Sequence, residues 1–454
     1  MVYLVLLQKD LRQFDNPALY HAVRRQKQII VVYVMEKRLG LTSKWWLCRS
    51  LQTFFEELNP FWIPLLYLDN SDKISELLEY LSKYIEIERI HSNGLDFELP
   101  DDYDEIHDSF QPNLIFKPED MTKEFKIFTP FWKSIRANCS PVKPLPFPEY
   151  SRKNYVDLEF DEYIDLPKMD DSDRWNQMDQ YWKIGEKAAQ ERFESFVKTK
   201  LSDYDHGRDF FCEDGTSKLS PHLRFGEISA RQIYERLNTK STDRFCSELG
   251  WREFAYHVNR YHPDMTKIPL NPKYRDFWPE YNDDHLEAWK TGHTGFPVID
   301  AAMRDISTTG WMHNRLRMLV ASFLVKNLLI PWQLGEEWFY DHLVDADPAI
   351  NPFSWQWVAG CGTDSVPYFR IFNPMLQGEK FDSKGIYVRK WLPEFADFPL
   401  KQNIHQYIIK QPQLCPKNYP KPIIDFKSSR ERTLSTFKNI VAPKVIQLKK
   451  PRLV

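Results

Sequence analysis

The chain shows two kinds of hydrophobic pattern. In the first ~130 residues, short apolar runs alternate with amphipathic segments, as in a parallel α/β sheet. The runs predict strands at residues 3–7, 29–35, 65–68, 89–92 and 114–116. The amphipathic segments predict helices near residues 18–25, 47–58 and 74–84. We therefore expect a Rossmann-like α/β domain at the start of the chain.

Helical periodicity dominates from about residue 185 onward, where strand signals are few. Apolar positions recur at helical spacing over residues 319–330, so Asn314 and Met318 are expected on one helix face. We predict an α/β domain over residues 1–130 and a Pro-, Asp- and Lys-rich connector over residues 131–184. An all-α domain over residues 185–441 and a basic tail over residues 442–454 complete the prediction.

Composition limits the class of protein. The chain of 454 residues is long enough for two cores, and its mean hydropathy of -0.55 without a long apolar run predicts no membrane span. The apolar start lacks a basic region and indicates a first strand, not a signal peptide. Six scattered cysteines without a CxxC pair favour a reduced, cytoplasmic protein with no metal site. Because the net charge is only -3, DNA affinity would need a local basic patch.

Polar and aromatic residues cluster in two segments of the predicted all-α domain. Residues 311–318 read Trp-Met-His-Asn-Arg-Leu-Arg-Met, and residues 345–357 include Asp-Ala-Asp, an Asn and Ser-Trp-Gln-Trp. Packing alone does not require these side chains, and buried amides and charges are costly unless they meet a partner. The cluster therefore suggests a bound ligand that is both polar and aromatic.

These segments resemble the flavin-binding part of the DNA photolyase/cryptochrome family. The resemblance continues in Asp-Gly-Thr-Ser-Lys-Leu-Ser-Pro from residue 214, Glu-Leu-Gly-Trp-Arg-Glu-Phe from residue 248 and Thr-Gly-Phe-Pro from residue 294. It includes Pro-Tyr-Phe-Arg-Ile-Phe-Asn-Pro from residue 367, Gln-Gly-Glu-Lys-Phe from residue 377 and, near the start, Asp-Leu-Arg from residue 10. The match covers nearly the whole chain. Within the family, the chain most resembles the bacterial-type class I cyclobutane pyrimidine dimer photolyases.

The resemblance implies bound FAD. The residues expected on its phosphate and ribitol side are Tyr204, Thr216, Ser217, Lys218, Leu219 and Ser220. Those expected on the ribose and isoalloxazine side are Asp345, Ala346 and Asp347, with Arg317 paired to Asp345. Phe245 stands where relatives commonly carry Trp beside the adenine, and Asn351 would face flavin N5. Spacing alone leaves open that Ser217 or Ser220 simply caps a helix.

The same resemblance implies roles in electron transfer and lesion binding. Trp355, Trp332 and Trp278 match the proximal, middle and surface positions of the family's tryptophan chain. The residues expected around a flipped-out pyrimidine dimer and its phosphates are Glu248, Trp251, Arg252, Asn314, Arg315, Met318, Trp357 and Gln377. Glu248 and Asn351, together with the three chain tryptophans, form the expected catalytic set.

The expected activity is light-driven repair of cyclobutane pyrimidine dimers by electron transfer from excited, reduced FAD. Photolyases of the (6-4) class carry histidines where this chain has Asn314 and Met318, which favours the cyclobutane dimer. Plant cryptochromes commonly carry Asp at the position of Asn351. The alternative functions are a cryptochrome-like photoreceptor without repair and a light-independent flavoprotein that binds DNA. The expected partner is UV-damaged DNA, and the protein is expected to be a monomer without an obligate protein partner.

The sequence leaves open whether an antenna chromophore, folate or deazaflavin, is present or absent. The family usually opens with Trp-Phe-Arg, whereas this chain has Leu6, Leu7 and Gln8. Residues 93–102 are short and acidic where relatives tend to carry basic and aromatic side chains. An acidic pocket would repel a polyglutamylated folate or the phosphate side of a deazaflavin.

Overall fold

The computed structural model describes residues 1–110, 113–156, 166–170, 172–237, 239–278, 280–365, 370–399 and 402–440. The predicted tail at residues 442–454 lies outside the described residues, as do residues 367–369 of the family motif.

A five-stranded parallel sheet forms the first part of the chain. Its strands are β1 (Val2–Leu7), β2 (Gln28–Val34), β3 (Leu65–Leu68), β4 (Ile87–Ser92) and β5 (His107–Ser109), in the order β3-β2-β1-β4-β5. All six residues of the central β1 are buried, as expected for a strand covered on both faces. The expected parallel α/β fold is therefore confirmed.

The predicted fifth strand was wrong. Residues 114–116 lie in a loop, and β5 occupies residues 107–109 instead. The Glu253 carboxylate accepts hydrogen bonds from the backbone N–H groups of Ile115 (3.1 Å) and Phe116 (3.4 Å). Both side chains pack into a core of the helical part. A distant carboxylate thus satisfies backbone groups that a strand would have paired within the sheet.

Three helices flank the sheet: α1 (Pro17–Arg24), α2 (Leu41–Leu58) and α3 (Ile74–Ser82). Asn16 caps α1, because its side chain accepts from Leu19 N–H and Pro17 opens the helix. The helix predicted from residue 47 begins at residue 41, and its added turns bury Trp45 and Trp46.

The rest of the described chain is largely helical, as predicted. Its helices are α4 (Phe128–Asn138), α5 (Asp173–Tyr181), α6 (Glu186–Thr199), α7 (Tyr204–Gly207), α8 (Ser220–Phe225), α9 (Ala230–Leu237), α10 (Asp243–Tyr261), α11 (Asp283–Thr291), α12 (Pro297–Thr309), α13 (Asn314–Ser322), α14 (Trp332–His342), α15 (Ile350–Ala359), α16 (Pro374–Phe381), α17 (Ile386–Trp391), α18 (Tyr407–Lys410) and α19 (Phe426–Ile440). The helix predicted through residue 330 continues from α13 as a π-helical turn at Phe323–Asn327.

The predicted connector at residues 131–184 contains α5 and most of α4. Phe131 and Trp132 of α4 pack into the helical core beside Phe254, and Trp175 of α5 packs into the core that contains the sheet. The boundaries of the predicted domains stay predictions. Among the described residues, no helix has both the length and the apolar character needed to cross a membrane.

Buried ion pairs tie the sheet to the helices. Arg224 of α8 binds Glu36, just after β2, at 2.7 Å, and Lys9 approaches the same carboxylate at 3.2 Å. Arg231 of α9 binds Asp15 at 2.9 Å. Burial alone would raise the pKa of Glu36, but Arg224 and Lys9 outweigh it and hold that pKa below its ordinary value. These pairs fix α8 and α9 against the first part of the chain.

Candidate active site

Helices α13 and α15 form the walls of an inner cavity. Its lining residues are Ser220, Trp311, Met312, Asn314, Arg317, Met318, Ala321, Phe339, Leu343, Asp345, Ala346, Asp347, Ile350, Asn351, Ser354, Trp355 and Val358. The helical repeat explains why several of them point the same way: Asn314, Arg317 and Met318 lie within about one turn of α13. The polar cluster identified in the sequence therefore gathers around one cavity.

A second, outer cavity shares a wall with the inner one. It is lined by Arg208, Asp209, Arg244, Glu248, Trp251, Arg252, Asn314, Arg315, Met318, Ile350, Phe353, Ser354 and Trp357. Asn314, Met318, Ile350 and Ser354 line both cavities. Seven of the eight expected lesion-binding residues line the outer cavity, and the eighth, Gln377, lies 3.5 Å from Arg315 Nη1.

The Asp345 carboxylate faces the inner cavity with one oxygen free. Its Oδ2 accepts from Arg317 Nη2 at 2.8 Å, which is the expected Arg–Asp pair. Its Oδ1 is buried and has no hydrogen-bond partner within the described part of the chain. A buried carboxylate oxygen without a donor is costly, so this atom fits a ligand that brings a hydroxyl or N–H group.

Asp347 and Ala346 are held rigidly beside the same cavity. Asp347 Oδ1 accepts from the N–H groups of Ala349 (2.8 Å) and Ile350 (3.0 Å) at the start of α15. Burial by itself would raise the pKa of Asp347. Several neighbouring groups, of which Arg224 has the largest effect, lower that pKa below its ordinary value. Arg224 also donates to the Ala346 carbonyl at 2.6 Å. Arg224 therefore links Glu36, beside the sheet, to the loop that carries Ala346 and Asp347.

Three further hydrogen bonds fix the polar groups of this cavity. Tyr256 of α10 donates to Asp347 Oδ2 at 2.5 Å. Asn351 Nδ2 donates to the Glu336 carbonyl and to Glu336 Oε1, each at 3.0 Å. Because a carbonyl and a carboxylate oxygen both accept hydrogen bonds, the Asn351 amide nitrogen must face Glu336. Its Oδ1 is then the atom that can accept from a ligand in the inner cavity.

The expected phosphate-side residues are only partly gathered. Ser220 lines the inner cavity and accepts from Trp311 Nε1 at 3.1 Å, whereas Thr216 and Lys218 line a third cavity that also contains Trp311. Ser217 Oγ accepts from Leu219 N–H at 3.4 Å. The residues that pack in a hydrophobic core instead are Tyr204, Leu219 and Phe245.

The loop that carries these residues is shaped by close backbone contacts. Lys218 has φ 51°, a left-handed conformation that is uncommon for a residue with a side chain. A β-carbon at Gly215 would overlap the backbone of Gly207, so only glycine allows this approach.

Two of the expected electron-transfer tryptophans are buried, and the third is partly exposed. Trp355 of α15 lines the inner cavity and is 2% exposed, and Trp332 of α14 is fully buried. Trp278 is partly exposed and donates to the Val325 carbonyl at 2.9 Å. A β-carbon at Gly335 would overlap the Trp355 ring, which shows how closely α14 approaches α15 there.

The outer cavity combines an aromatic wall with ion pairs. Trp251 stacks on Phe128 with ring centroids 3.9 Å apart, so one face of its ring is already covered. Glu248 pairs with Arg208. Arg252 Nη1 donates to the Asn113 carbonyl at 2.9 Å.

Arg315 has two partners of its own. It pairs with Asp209, and its guanidinium lies 3.9 Å from the centre of the Phe381 ring. These contacts hold its charge at the rim of the outer cavity.

Sequence reasoning missed several lining residues. Ile350 and Ser354 follow from helical spacing, since they are four residues apart and flank Asn351 and Trp355 on α15. Arg208 and Arg244, which line the outer cavity, come from parts of the chain distant in sequence, and no local pattern marked them. Nor did a local pattern mark Glu336, the hydrogen-bond partner of Asn351.

Family models and relatives of known function show which family the chain belongs to. A family model described as the FAD binding domain of DNA photolyase matches residues 245–439, and one described as DNA photolyase matches residues 3–96. The deoxyribodipyrimidine photo-lyase of Agrobacterium fabrum is 35% identical, covering 96% of this chain and 97% of the relative. That of Escherichia coli is 33% identical, covering 96% and 98%. The chain belongs to the DNA photolyase/cryptochrome family.

Solved photolyase and cryptochrome structures share the two-part fold. A bacterial class III photolyase from Agrobacterium tumefaciens has a TM-score of 0.87 and 33% identity, covering 97% of this chain and 98% of that one. An archaeal photolyase from Sulfolobus tokodaii with two FAD molecules has a TM-score of 0.81 and 26% identity, covering 97% and 100%. A Synechocystis cryptochrome has a TM-score of 0.82 and 26% identity, covering 96% and 99%.

Membership in the photolyase family confirms several expectations. The two-domain architecture, the FAD-binding domain, the lyase class and photolyase-type DNA repair are as the sequence predicted. The antenna chromophore, the monomeric state, the cytoplasmic location and the role of each site residue stay predictions. The expected similarity to class I photolyases also stays a prediction, since one of the similar structures is a class III photolyase.

Proposed function

We propose that this photolyase splits cyclobutane pyrimidine dimers in DNA, with light driving the reaction through FAD in the inner cavity. One observation carries the proposal: Asn314, Met318, Ile350 and Ser354 line both cavities. A dimer in the outer cavity would therefore lie against a flavin in the inner cavity. The relatives named deoxyribodipyrimidine photo-lyase support this reading.

The inner cavity suits FAD because its free polar atoms match hydroxyl and N–H groups. Asp345 Oδ1 is a buried acceptor without a donor, and Asn351 presents Oδ1 once its amide nitrogen is bound to Glu336. Bound and reduced, FAD supplies the electron for dimer splitting when it absorbs light. The chain orients it: Arg317 holds Asp345, and the start of α15 holds Asp347.

The outer cavity suits an extruded pair of bases. Trp251 and Trp357 offer flat apolar surfaces, and Glu248 and Asn314 offer hydrogen-bonding groups for base edges. Arg315 and Gln377, at its rim, would contact backbone phosphates, which position DNA without reading its sequence.

The side chains of the wall between the cavities support the cyclobutane dimer as the lesion. Opening a cyclobutane dimer needs an electron but no net proton transfer, whereas (6-4) reversal requires an acid. Asn314 and Met318 cannot supply a proton near neutral pH. His313 adjoins them, but it lines the third cavity, and burial lowers its pKa to about 4. Within the described part of the chain, the side chains of this wall therefore offer no acid for (6-4) reversal.

Trp355, Trp332 and Trp278 would supply electrons that return the flavin to its reduced state. Trp355 lines the inner cavity, and Trp278 is partly exposed. The series would therefore connect the cofactor with a reductant in solution.

Illumination of purified, chemically reduced holoprotein with two defined oligonucleotides tests the proposal. One carries a single cyclobutane thymine dimer and the other a single (6-4) product, and chromatography follows each lesion. We expect light-dependent loss of the cyclobutane dimer alone. The Trp355→Phe variant, reduced chemically, should still repair although it no longer photoreduces. Repair of the (6-4) product would overturn the lesion assignment, and repair of neither lesion would favour the cryptochrome-like alternative.

A further inference from the structure

We propose that Asp209 limits the affinity of this photolyase for DNA by occupying Arg315 in the free protein, where its carboxylate takes the place of a DNA phosphate. The inference rests on the proposed function, because it takes Arg315 as a phosphate contact at the rim of the outer cavity. Asp209 is then a residue that sets DNA affinity and takes no part in the photochemistry.

The positive charges of the outer cavity are already paired within the protein. Each arginine that lines this cavity forms an ion pair with a carboxylate of the described chain. The pairs are Arg208–Glu248, Arg244–Asp205, Arg252–Glu253 and Arg315–Asp209. Contacts between basic side chains and phosphates supply most of the affinity for undamaged DNA. A phosphate that enters this cavity therefore has to compete with a carboxylate for its arginine.

Asp209 differs from the other three carboxylates. Glu248 is expected to face the base edges, and the buried Glu253 holds the backbone of a loop. The Asp205 side chain is 86% exposed, so water screens its charge. The Asp209 side chain is 41% exposed and meets an Arg315 side chain that is only 20% exposed. Competition with a phosphate should therefore be strongest at the Arg315–Asp209 pair.

Groups other than Asp209 also position the Arg315 side chain. Its guanidinium carbon lies 3.9 Å from the centre of the Phe381 ring, and its Nη1 lies 3.5 Å from Gln377 Oε1. The pair with Asp209 uses the other terminal nitrogen, Nη2. A phosphate bound at Nη2 would therefore displace the carboxylate, whereas the contacts with Phe381 and Gln377 can remain. Loss of the Asp209 charge should leave Arg315 at the rim of the cavity.

The Asp209 carboxylate opposes DNA binding in two ways. The protein loses the Arg315–Asp209 pair when a phosphate takes its place, and the displaced carboxylate then repels that phosphate. Two unit charges about 4 Å apart change an equilibrium constant roughly fivefold even in bulk water. Neither effect involves the lesion, so Asp209 should lower the affinity for damaged and undamaged DNA by the same factor. Because undamaged sites far outnumber lesions in a genome, the lower affinity leaves more of the protein free.

The test titrates FAD-loaded protein into two labelled DNA duplexes, one undamaged and one with a single cyclobutane thymine dimer. Asp209→Asn should bind both duplexes about fivefold more tightly at low salt, and the gain should shrink as salt screens the charges. The ratio of the two affinities should stay unchanged. Asp179→Asn is the matched control, because Asp179 also pairs with an arginine and is 38% exposed, but it lies on α5, which does not line the outer cavity. Weaker binding by Asp209→Asn, or a gain no larger than that of the control, would overturn the proposal.

A double-mutant cycle separates competition for Arg315 from a general effect of charge. In the wild type, Arg315→Ala removes a phosphate contact together with the ion pair that competes with it. In the Asp209→Asn background, the same change removes a phosphate contact that has no competitor. Arg315→Ala should therefore cost more affinity in the Asp209→Asn background, and equal losses in the two backgrounds would refute the competition. Asparagine keeps the shape of Asp209, and retained FAD absorbance confirms folding of each variant.

Failure of the underlying function gives a different result. If Arg315→Ala cost no affinity in either background, Arg315 would not contact phosphates, and the proposed placement of DNA in the outer cavity would be wrong. If Arg315→Ala weakened binding but Asp209→Asn bound DNA like the wild type, only the role of Asp209 would be excluded.

Discussion

Replacing Arg224 with alanine should test how contacts with the sheet stabilise the loop that carries Ala346 and Asp347. Arg224 is 4% exposed, binds the 3% exposed Glu36 and donates to the Ala346 carbonyl. Breaking a buried ion pair by removing one partner costs about 3–5 kcal/mol, because the other charge stays buried. Lys9 remains 3.2 Å from Glu36 and offsets part of that loss. We therefore expect a loss of roughly 3 kcal/mol in the free energy of unfolding.

Urea unfolding, followed by tryptophan fluorescence, measures this loss as a lower midpoint with an unchanged slope. Arg49→Ala is the matched control. Arg49 binds Asp179 at 2.8 Å, but the two side chains are 44% and 38% exposed. Such exposed pairs contribute about 0–1 kcal/mol. If both variants lost the same small amount of unfolding free energy, the argument from buried charge would be refuted.

The effect of Arg224→Ala should also depend on pH. The pKa of Glu36 is lowered in the fold, so its contribution is present above the pKa of an unfolded glutamate. That contribution is lost as the pH falls through the lower, folded value. The stability gap between wild type and variant should therefore narrow in acid. The variant should also retain less FAD, because Arg224 holds the loop at Ala346 and Asp347.

Two further outcomes are expected. Trp251→Ala should erase most of the preference for dimer-containing DNA, since stacking is worth roughly 1–3 kcal/mol per base, whereas Arg315→Ala should weaken binding to damaged and undamaged DNA alike; equal loss of preference in titrations would contradict this division. Burial, with repulsion from Glu186, raises the pKa of Glu57 to about 7, so its ionisation should cost stability as the pH rises through that value. Glu57→Gln should remove this decline, and an unchanged pH profile in thermal unfolding would exclude it.

Local pattern in the sequence was enough to place most elements. Four of the predicted strands and the three helices beside them form where the apolar runs and amphipathic segments indicated them. This is because nearby residues determine which face of an element is buried. The two polar segments also identified the flavin-binding family. Helical spacing put Asn314 and Met318 on one face, and both line the shared wall.

Tertiary structure decided whatever depends on a distant partner. The Glu253 carboxylate accepts from the backbone N–H groups of residues 115 and 116, so these residues lie in a loop and not in the predicted strand. Glu336 fixes the orientation of the Asn351 amide. Thr216 lines the third cavity and not the inner one. A local pattern encodes which face of an element is buried. It does not encode which group from elsewhere in the chain will satisfy a polar atom there, and in this photolyase those distant partners set the geometry of the site.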